Sequence, residues 1–144
     1  MRSITVTRRI SAAIGAVFQA ASDVREFAKA IPHIVNVEFL SESRTGAGTR
    51  FRETRTMNGK EQTTELEVTE FVENERVRMV ADSHGAIWDT VFTVKQTAEH
   101  VEMTMVMEAR PYKLIPKIMY LLFRGMIQKA VEKDMDAVKT YCER

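Results

Sequence analysis

HVEMTMVMEARPYKLIPKIMYLLFRGMIQKAV, residues 100–131, changes its repeat partway along, and that change decides the fold. Up to Ala109 one parity is apolar throughout, Val101, Met103, Met105 and Met107, while the other carries Glu102, Thr104, Val106 and Glu108. A period of two puts alternate side chains on opposite faces of a strand. From about residue 113 to 143 the period is near 3.6 instead. Phe123, Ile127, Ala130, Val131, Val138 and Cys142 recur with lysines and acids between them, which predicts a helix of roughly thirty residues. Pro116 fits the first turn of that helix, where its missing N–H is not needed. The first half, Leu114 to Met126, is apolar on more than one side. It should touch more than one partner: the sheet, and a ligand or a membrane.

The same alternation runs upstream. Ile4, Val6 and Ile10 alternate with Ser3, Thr5, Thr7 and Arg9, giving a first strand interrupted only by Arg8. Ser11 is placed to cap a short helix through Ala12 to Ala20, with Ile14, Val17 and Phe18 toward the core. Gly15 weakens that helix, as expected where something packs closely against it. Asp23 and Glu26 form a capping-box pair for a second short helix, which Pro32 closes. Segments 34–42, 49–57, 61–71, 76–83, 86–96 and 100–110 then read as strands, and Asn58-Gly59 is the strongest hairpin signal between them. Short links imply sequential antiparallel pairing. A sheet with one wet face needs its inner face covered, and only the long helix is large enough to do so. The expected architecture is α+β: a seven-stranded curved antiparallel sheet wrapped around a long C-terminal helix, with two short helices after the first strand. It is expected to form one domain over residues 1–144.

Whole-chain numbers bound the function. Lysine and arginine number 21 against 20 aspartates and glutamates, so the net charge of +1 gives no reason to expect nucleic acid. Cys142 is the one cysteine, which excludes an intrachain disulfide framework and makes a cytoplasmic location the expectation. The N-terminus has no hydrophobic leader pattern, and the apolar run Ile118–Phe123 is too short to span a bilayer. His33, His84 and His100 lack metal-ligand spacing, and no serine lies in a nucleophile-elbow pattern. Gly46-x-Gly48 reads as a turn, because no strand-to-helix junction surrounds it. No metal or cofactor is expected.

Alternation also assigns the inner face. On β-type segment 49–57 it points Phe51, Glu53, Arg55 and Met57 inward, and across the hairpin Gln62, Thr64, Leu66 and Val68. Further on it turns Val77, Met79 and Ala81, then Trp88, Thr90, Phe92 and Val94, toward the core, while Ile87 and Val91 fall outside. Two readings compete for the inward pair Glu53 and Arg55. Either it is a rim ion pair, or it is a polar anchor within an apolar cavity, since an unpaired inward charge costs several kcal/mol (roughly). The methionine stripe is either core filler or an adaptable ligand wall. Trp88 likewise either packs or offers its indole N–H to a ligand. Tyr112, Tyr120 and Arg124 either border a cavity entrance or pack ordinarily at the helix start, with the arginine snorkelling. Cys142 reads as inert packing.

The order strand, two short helices, six-strand meander and long helix carries a resemblance. Together with Ile10-Ser11-Ala12-Ala13 before Val17-Phe18, then Phe27, and with Gly48-Thr49-Arg50-Phe51-Arg52 after a turn, it resembles the START-like (Bet v 1-like, SRPBCC) superfamily. Its polyketide cyclase/dehydrase and lipid-transport branch is the nearest likeness. Where most members have proline after Ser11-Ala12, this chain has Ala13. The resemblance implies a helix-grip fold and a cavity for lipids, sterols, quinones or polyketides. Three functions follow as expectations. The first is binding or transport of a small hydrophobic molecule, its apolar body held by Met79, Met103, Met105 and Met107 with Trp88 and Phe92. Phe51, Tyr120 and Phe123 complete that wall, and Glu53, Arg55 and Gln62 fix the polar end. The second is a cyclase or dehydratase acting through Glu53 and Arg55. The third is a domain whose segment 114–126 makes transient membrane or protein contact. The sequence sets no oligomeric state.

Overall fold

The computed structural model describes residues 3–144. Strand β1 (Ser3–Ile10) leads into helices α1 (Ile14–Ser22) and α2 (Val24–Ala30). Strands β2 (Ile34–Phe39), β3 (Arg50–Met57), β4 (Lys60–Val72), β5 (Arg76–Ser83), β6 (Ala86–Gln96) and β7 (Val101–Pro111) follow, and helix α3 (Leu114–Cys142) ends the chain. All seven strands form one antiparallel sheet in the order β1-β7-β6-β5-β4-β3-β2. The α+β architecture read from the sequence is therefore the one observed.

The turns are chemically apt. Asn58 and Gly59 both take positive φ, as do His84 and Gly85, so β3–β4 and β5–β6 close as two-residue hairpins. Gly85 has a second role. A side chain there would place its Cβ 2.8 Å from Pro116 and 3.0 Å from Lys113, so only glycine lets the start of α3 sit on this turn. The Gly85 carbonyl accepts from the backbone N–H groups of Tyr112 (2.9 Å) and Lys113 (3.3 Å), fixing where α3 begins.

Two helix expectations change. Ser11 does not cap α1; its N-cap is Ala13, with no side-chain bond, and the backbone N–H of Ser11 instead donates to Glu143 at 2.8 Å. Gly15 lies in open surroundings, its would-be Cβ an ordinary 3.9 Å from Asn74, so no close packing explains it. Asp23 does cap α2, accepting from the N–H groups of Arg25 and Glu26. The carboxylate of Glu26 does not close the box. It accepts from the Tyr141 hydroxyl of α3 and pairs with Lys29.

Sheet register confirms the inward scheme: Phe51 faces Leu66, Val77 faces Phe92, and Phe92 faces Met105. The core gathers Ile4, Val6 and Ile10 with Val77, Met103 and Met105, under Val17 and Phe18 of α1 and Val131, Met135 and Val138 of α3. Edge-to-face aromatic pairs tie the helices to the sheet, Phe18 on Phe71 at 5.3 Å and Phe27 on Phe92 at 5.9 Å. Two register shifts, at Val35 in β2 and Thr69 in β4, insert one residue each. Past Thr69 the inward residue is Phe71 and the outward one Glu70.

That outward Glu70 joins a charge network on the convex face. Arg78 grips Asp89 with two bonds (2.9 and 2.5 Å) and reaches Glu70 at 3.1 Å, while Arg110 bridges Asp89 and Glu108. Asp89 points outward yet is buried beneath these arginines. The Arg78 hydrogen bonds hold its carboxyl below the usual aspartate value against the opposing pull of burial, with Arg110 adding to the effect. A depressed carboxyl stabilises the fold above its unfolded pKa, and the contribution is lost as pH falls through the folded value. Asp89→Asn should therefore lower stability by about 2 kcal/mol at neutral pH. In urea titrations the gap to the native chain should narrow below about pH 4. A second prediction concerns Gly125, inside α3 with nothing within 4 Å of its would-be Cβ. Gly125→Ala should raise stability by about 1 kcal/mol, read as an upward shift in Tm.

Candidate ligand-binding site

Helix α3 is held unequally along its length. Its C-terminal half is fastened from both sides of the sheet: Arg55 of β3 donates to Asp134 at 2.8 Å, and Arg8 of β1 donates to Asp136 at 2.6 Å. Lys139 donates to the Arg9 carbonyl at 2.6 Å, and Val131, Met135 and Val138 are buried beneath. Its N-terminal half is different. Between Leu114 and Met126 only Tyr120 is buried, and Arg124 reaches the Ser3 carbonyl at 3.1 Å.

The concave face of the sheet divides accordingly. Phe51, Met79, Phe92, Met103 and Met105 are buried members of the packed core under the helices. They contact protein rather than space. Toward the β3–β4 and β5–β6 turns the inward residues lose their cover: Thr64, Leu66, Trp88, Thr90 and Met107 are half-buried, while Gln62, Met57 and Phe123 are exposed. This strip lies beside the loosely held half of α3.

Trp88 and Tyr120 anchor the strip. Their rings meet edge to face at 6.2 Å. Trp88 faces Ala81 on β5 and Ala109 on β7, so its two cross-strand neighbours are the smallest side chains on the inner face. The hydroxyl of Tyr120 is buried and has no hydrogen-bond partner among the described residues. A buried phenol left unsatisfied costs about 1–3 kcal/mol.

On the β3 side, Glu53 and Arg55 both point inward and pair at 2.5 Å. Burial works to lower the Arg55 pKa, but the charges of Glu53 and Asp134 and their hydrogen bonds outweigh it and raise it. Two carboxylates share one guanidinium, so the trio carries a net negative charge. Arg55 is in this way part of the bolt that holds α3. Tyr112 is exposed and donates to Asp82 at 2.6 Å, away from the strip. Cys142 is half-buried against the core, and burial pushes its thiol upward. Among the described residues no three His, Cys, Asp or Glu side chains cluster to hold a metal ion. One depression in the surface, about 330 Å³, lies elsewhere, lined mostly by outward residues such as Arg50, Glu65, Val80 and Asp82.

Sequence reading missed Asp134 and Asp136, because a charge on a helix gives no sign of which strand it will meet. It also missed Ala109. The signal was available: alanines at positions 81 and 109 fall on the inner parity on either side of Trp88.

A sheet curled around one long helix, with part of its concave face uncovered, defines the helix-grip, Bet v 1-like class. The chain belongs to the family described as polyketide cyclase / dehydrase and lipid transport, which matches residues 1–143. Among solved structures, TTHA0849 from Thermus thermophilus is similar with a TM-score of 0.79 and 16% identity, over 97% of this chain and 96% of that one. CV1439 from Chromobacterium violaceum is similar with a TM-score of 0.69 and 21% identity, over 100% and 99%. The di-domain ARO/CYC StfQ from the steffimycin biosynthetic pathway matches at a TM-score of 0.77 and 12% identity, over 97% of this chain and 50% of that one. At these identities the likeness is one of fold. No curated protein matches the chain in sequence.

Removing the shared cation tests the bolt. Arg55→Ala should cost about 3 kcal/mol, since it strands two half-buried carboxylates beside each other. Arg52→Ala, which breaks the exposed, solvent-screened pair with Glu65 on the opposite face, should leave the unfolding midpoint close to native. Urea unfolding midpoints of the two variants decide it, and equal losses would contradict the assignment.

Proposed function

We propose that the protein binds a small hydrophobic molecule carrying one polar group, on the uncovered strip between the sheet and the first half of α3. One observation carries this reading: the buried hydroxyl of Tyr120 has no partner among the described residues, while its ring packs on Trp88 beside half-exposed apolar residues. An oxygen or N–H of a ligand would complete it. The apolar body would lie along Trp88, Met107 and Phe123, with the more deeply packed Phe51, Met79, Phe92, Met103 and Met105 as rigid support behind. Glu53, Arg55 and Gln62 stand at the β3–β4 side of the mouth, where they limit what can enter. The family description, which includes lipid transport, supports a ligand of this class.

A cyclase reading would have Arg55 stabilise an enolate. The two carboxylates on Arg55 oppose that role, since the trio repels rather than attracts a developing negative charge. Binding is the function this geometry supports best.

Trp88 is the only tryptophan, so its emission reports on the strip directly. Titration with 2-naphthol should change that emission saturably. Naphthalene, lacking the hydroxyl, should bind about fivefold more weakly, the equivalent of one net hydrogen bond. Tyr120→Phe should erase the preference while leaving naphthalene binding intact. If neither compound perturbs Trp88, the reading is wrong.

A further inference from the structure

The side of α3 that faces away from the sheet is apolar where a water-facing helix should be polar. With successive residues about 100° apart, Tyr120, Ile127, Val131, Met135 and Val138 form the face toward the sheet. Opposite them on the first turns lie Leu114, Ile115, Ile118, Leu121, Leu122 and Met126, exposed between 48% and 73%. A continuous apolar face of this size on a monomer marks a docking surface. The segment is about 20 Å long, too short to cross the roughly 30 Å hydrocarbon core of a bilayer, and no described helix is long and apolar enough to do so.

Charge identifies what the face meets. From Ala109 to Val131 the chain has no aspartate or glutamate, whereas Arg110, Lys113, Lys117, Arg124 and Lys129 are basic. Arg110 and Arg124 are engaged by Glu108 and by the Ser3 carbonyl. Lys113, Lys117 and Lys129 are exposed, and the lysine ion pairs among the described residues are Lys29–Glu26 and Lys139–Glu143. The helix start adds an independent sign. Its first turn contains no acid, Lys113 as N-cap makes no side-chain bond, and Lys113 and Lys117 sit at the positive end of the helix dipole. That combination is unfavourable in isolation and is relieved by a neighbouring anion.

We propose that Leu114–Met126 docks flat on an anionic lipid bilayer, with the leucine and isoleucine stripe at the headgroup–acyl boundary, Lys129 on the stripe's side one turn on, and Lys117 at its flank and Lys113 ahead of the first turn reaching lipid phosphates along their flexible stems. A second copy of the chain fits this face less well, because twofold pairing along the stripe would set one acid-free, lysine-bearing segment against another with no carboxylate on either to answer the charge. The docking surface and the ligand strip lie on different sides of the helix, so each stands or falls alone.

Co-sedimentation tests it, with phosphatidylcholine vesicles containing phosphatidylglycerol and with vesicles of phosphatidylcholine alone. The native chain should pellet with the anionic vesicles and much less with the neutral ones. Binding should fall at least about tenfold in Ile118→Glu/Leu122→Glu and severalfold in Lys113→Glu/Lys117→Glu. Circular dichroism checks that the variants fold, and their 2-naphthol response at Trp88 should stay native, which separates this proposal from the ligand reading. Failure to pellet with anionic vesicles overturns it, as does undiminished binding by the folded glutamate variant. A native dimer in sedimentation velocity that the glutamate substitutions dissociate would also overturn it, by assigning the face to a second copy.

Discussion

The charge of Arg55 must be answered inside the curve of the sheet, and much of the architecture follows from how that is done. Strand alternation forces both Glu53 and Arg55 inward, where a lone guanidinium could not be tolerated. Glu53 answers it from the same strand and Asp134 from the helix, so a strand-to-helix bond forms across the core boundary. Arg8 and Asp136 repeat the arrangement from the opposite edge strand, in a more exposed setting. The sheet thereby grips the C-terminal half of α3 from both margins. Hydrophobic burial of Val131, Met135 and Val138 supplies the attraction, while the ion pairs fix which turn of the helix lies where.

This uneven grip produces the functional geometry. A helix bolted along its whole length would have completed a solid core and left no strip on the concave face. Because the ion-pair fastening stops short of Ile127, the first turns depend on the Gly85 turn at one end, on Tyr120 in the middle and on the Arg124 bond to the Ser3 carbonyl. Both faces of those turns are left with unmet chemistry. Inward there is a phenol with no partner among the described residues beside a tryptophan; outward there is an apolar stripe on a segment that carries lysines and no acid. The residues that would make this segment a better helix, an acid in the first turn and alanine at Gly125, are absent from it.

Most of the architecture was legible in the residues. Strand limits agree to within about three residues because apolar alternation is strict on the inner parity and turns such as Asn58-Gly59 punctuate it. The shift at Thr69 shows the limit of that rule: alternation run past it would have placed Glu70 inside and Phe71 outside. The Ser11 cap failed for another reason. A serine before a helical pattern is a local signal, and here the helix starts two residues later, with Ala13 as its N-cap, while the Ser11 N–H donates to the distant Glu143. The site was only half visible. Inward methionines and Trp88 could be counted from parity, but which of them the helices would cover depends on where α3 is bolted. That depends in turn on pairs such as Arg55–Asp134, separated by most of the chain.

The inserted residues Val35 and Thr69 have a further consequence. On either side of Thr69, Val68 meets Met79, Glu70 meets Arg78 and Phe71 meets Val77, so the partners of β5 are met in unbroken succession as though Thr69 were not there. The same holds at Val35, between Ile34 opposite Arg55 and Asn36 opposite Thr54. Neither residue is required to specify who pairs with whom; each adds a local bend. Shape and partnership are thus written in separate letters, and a lineage could flatten or tighten the bowl by losing or gaining single residues without rewriting any contact across the strands.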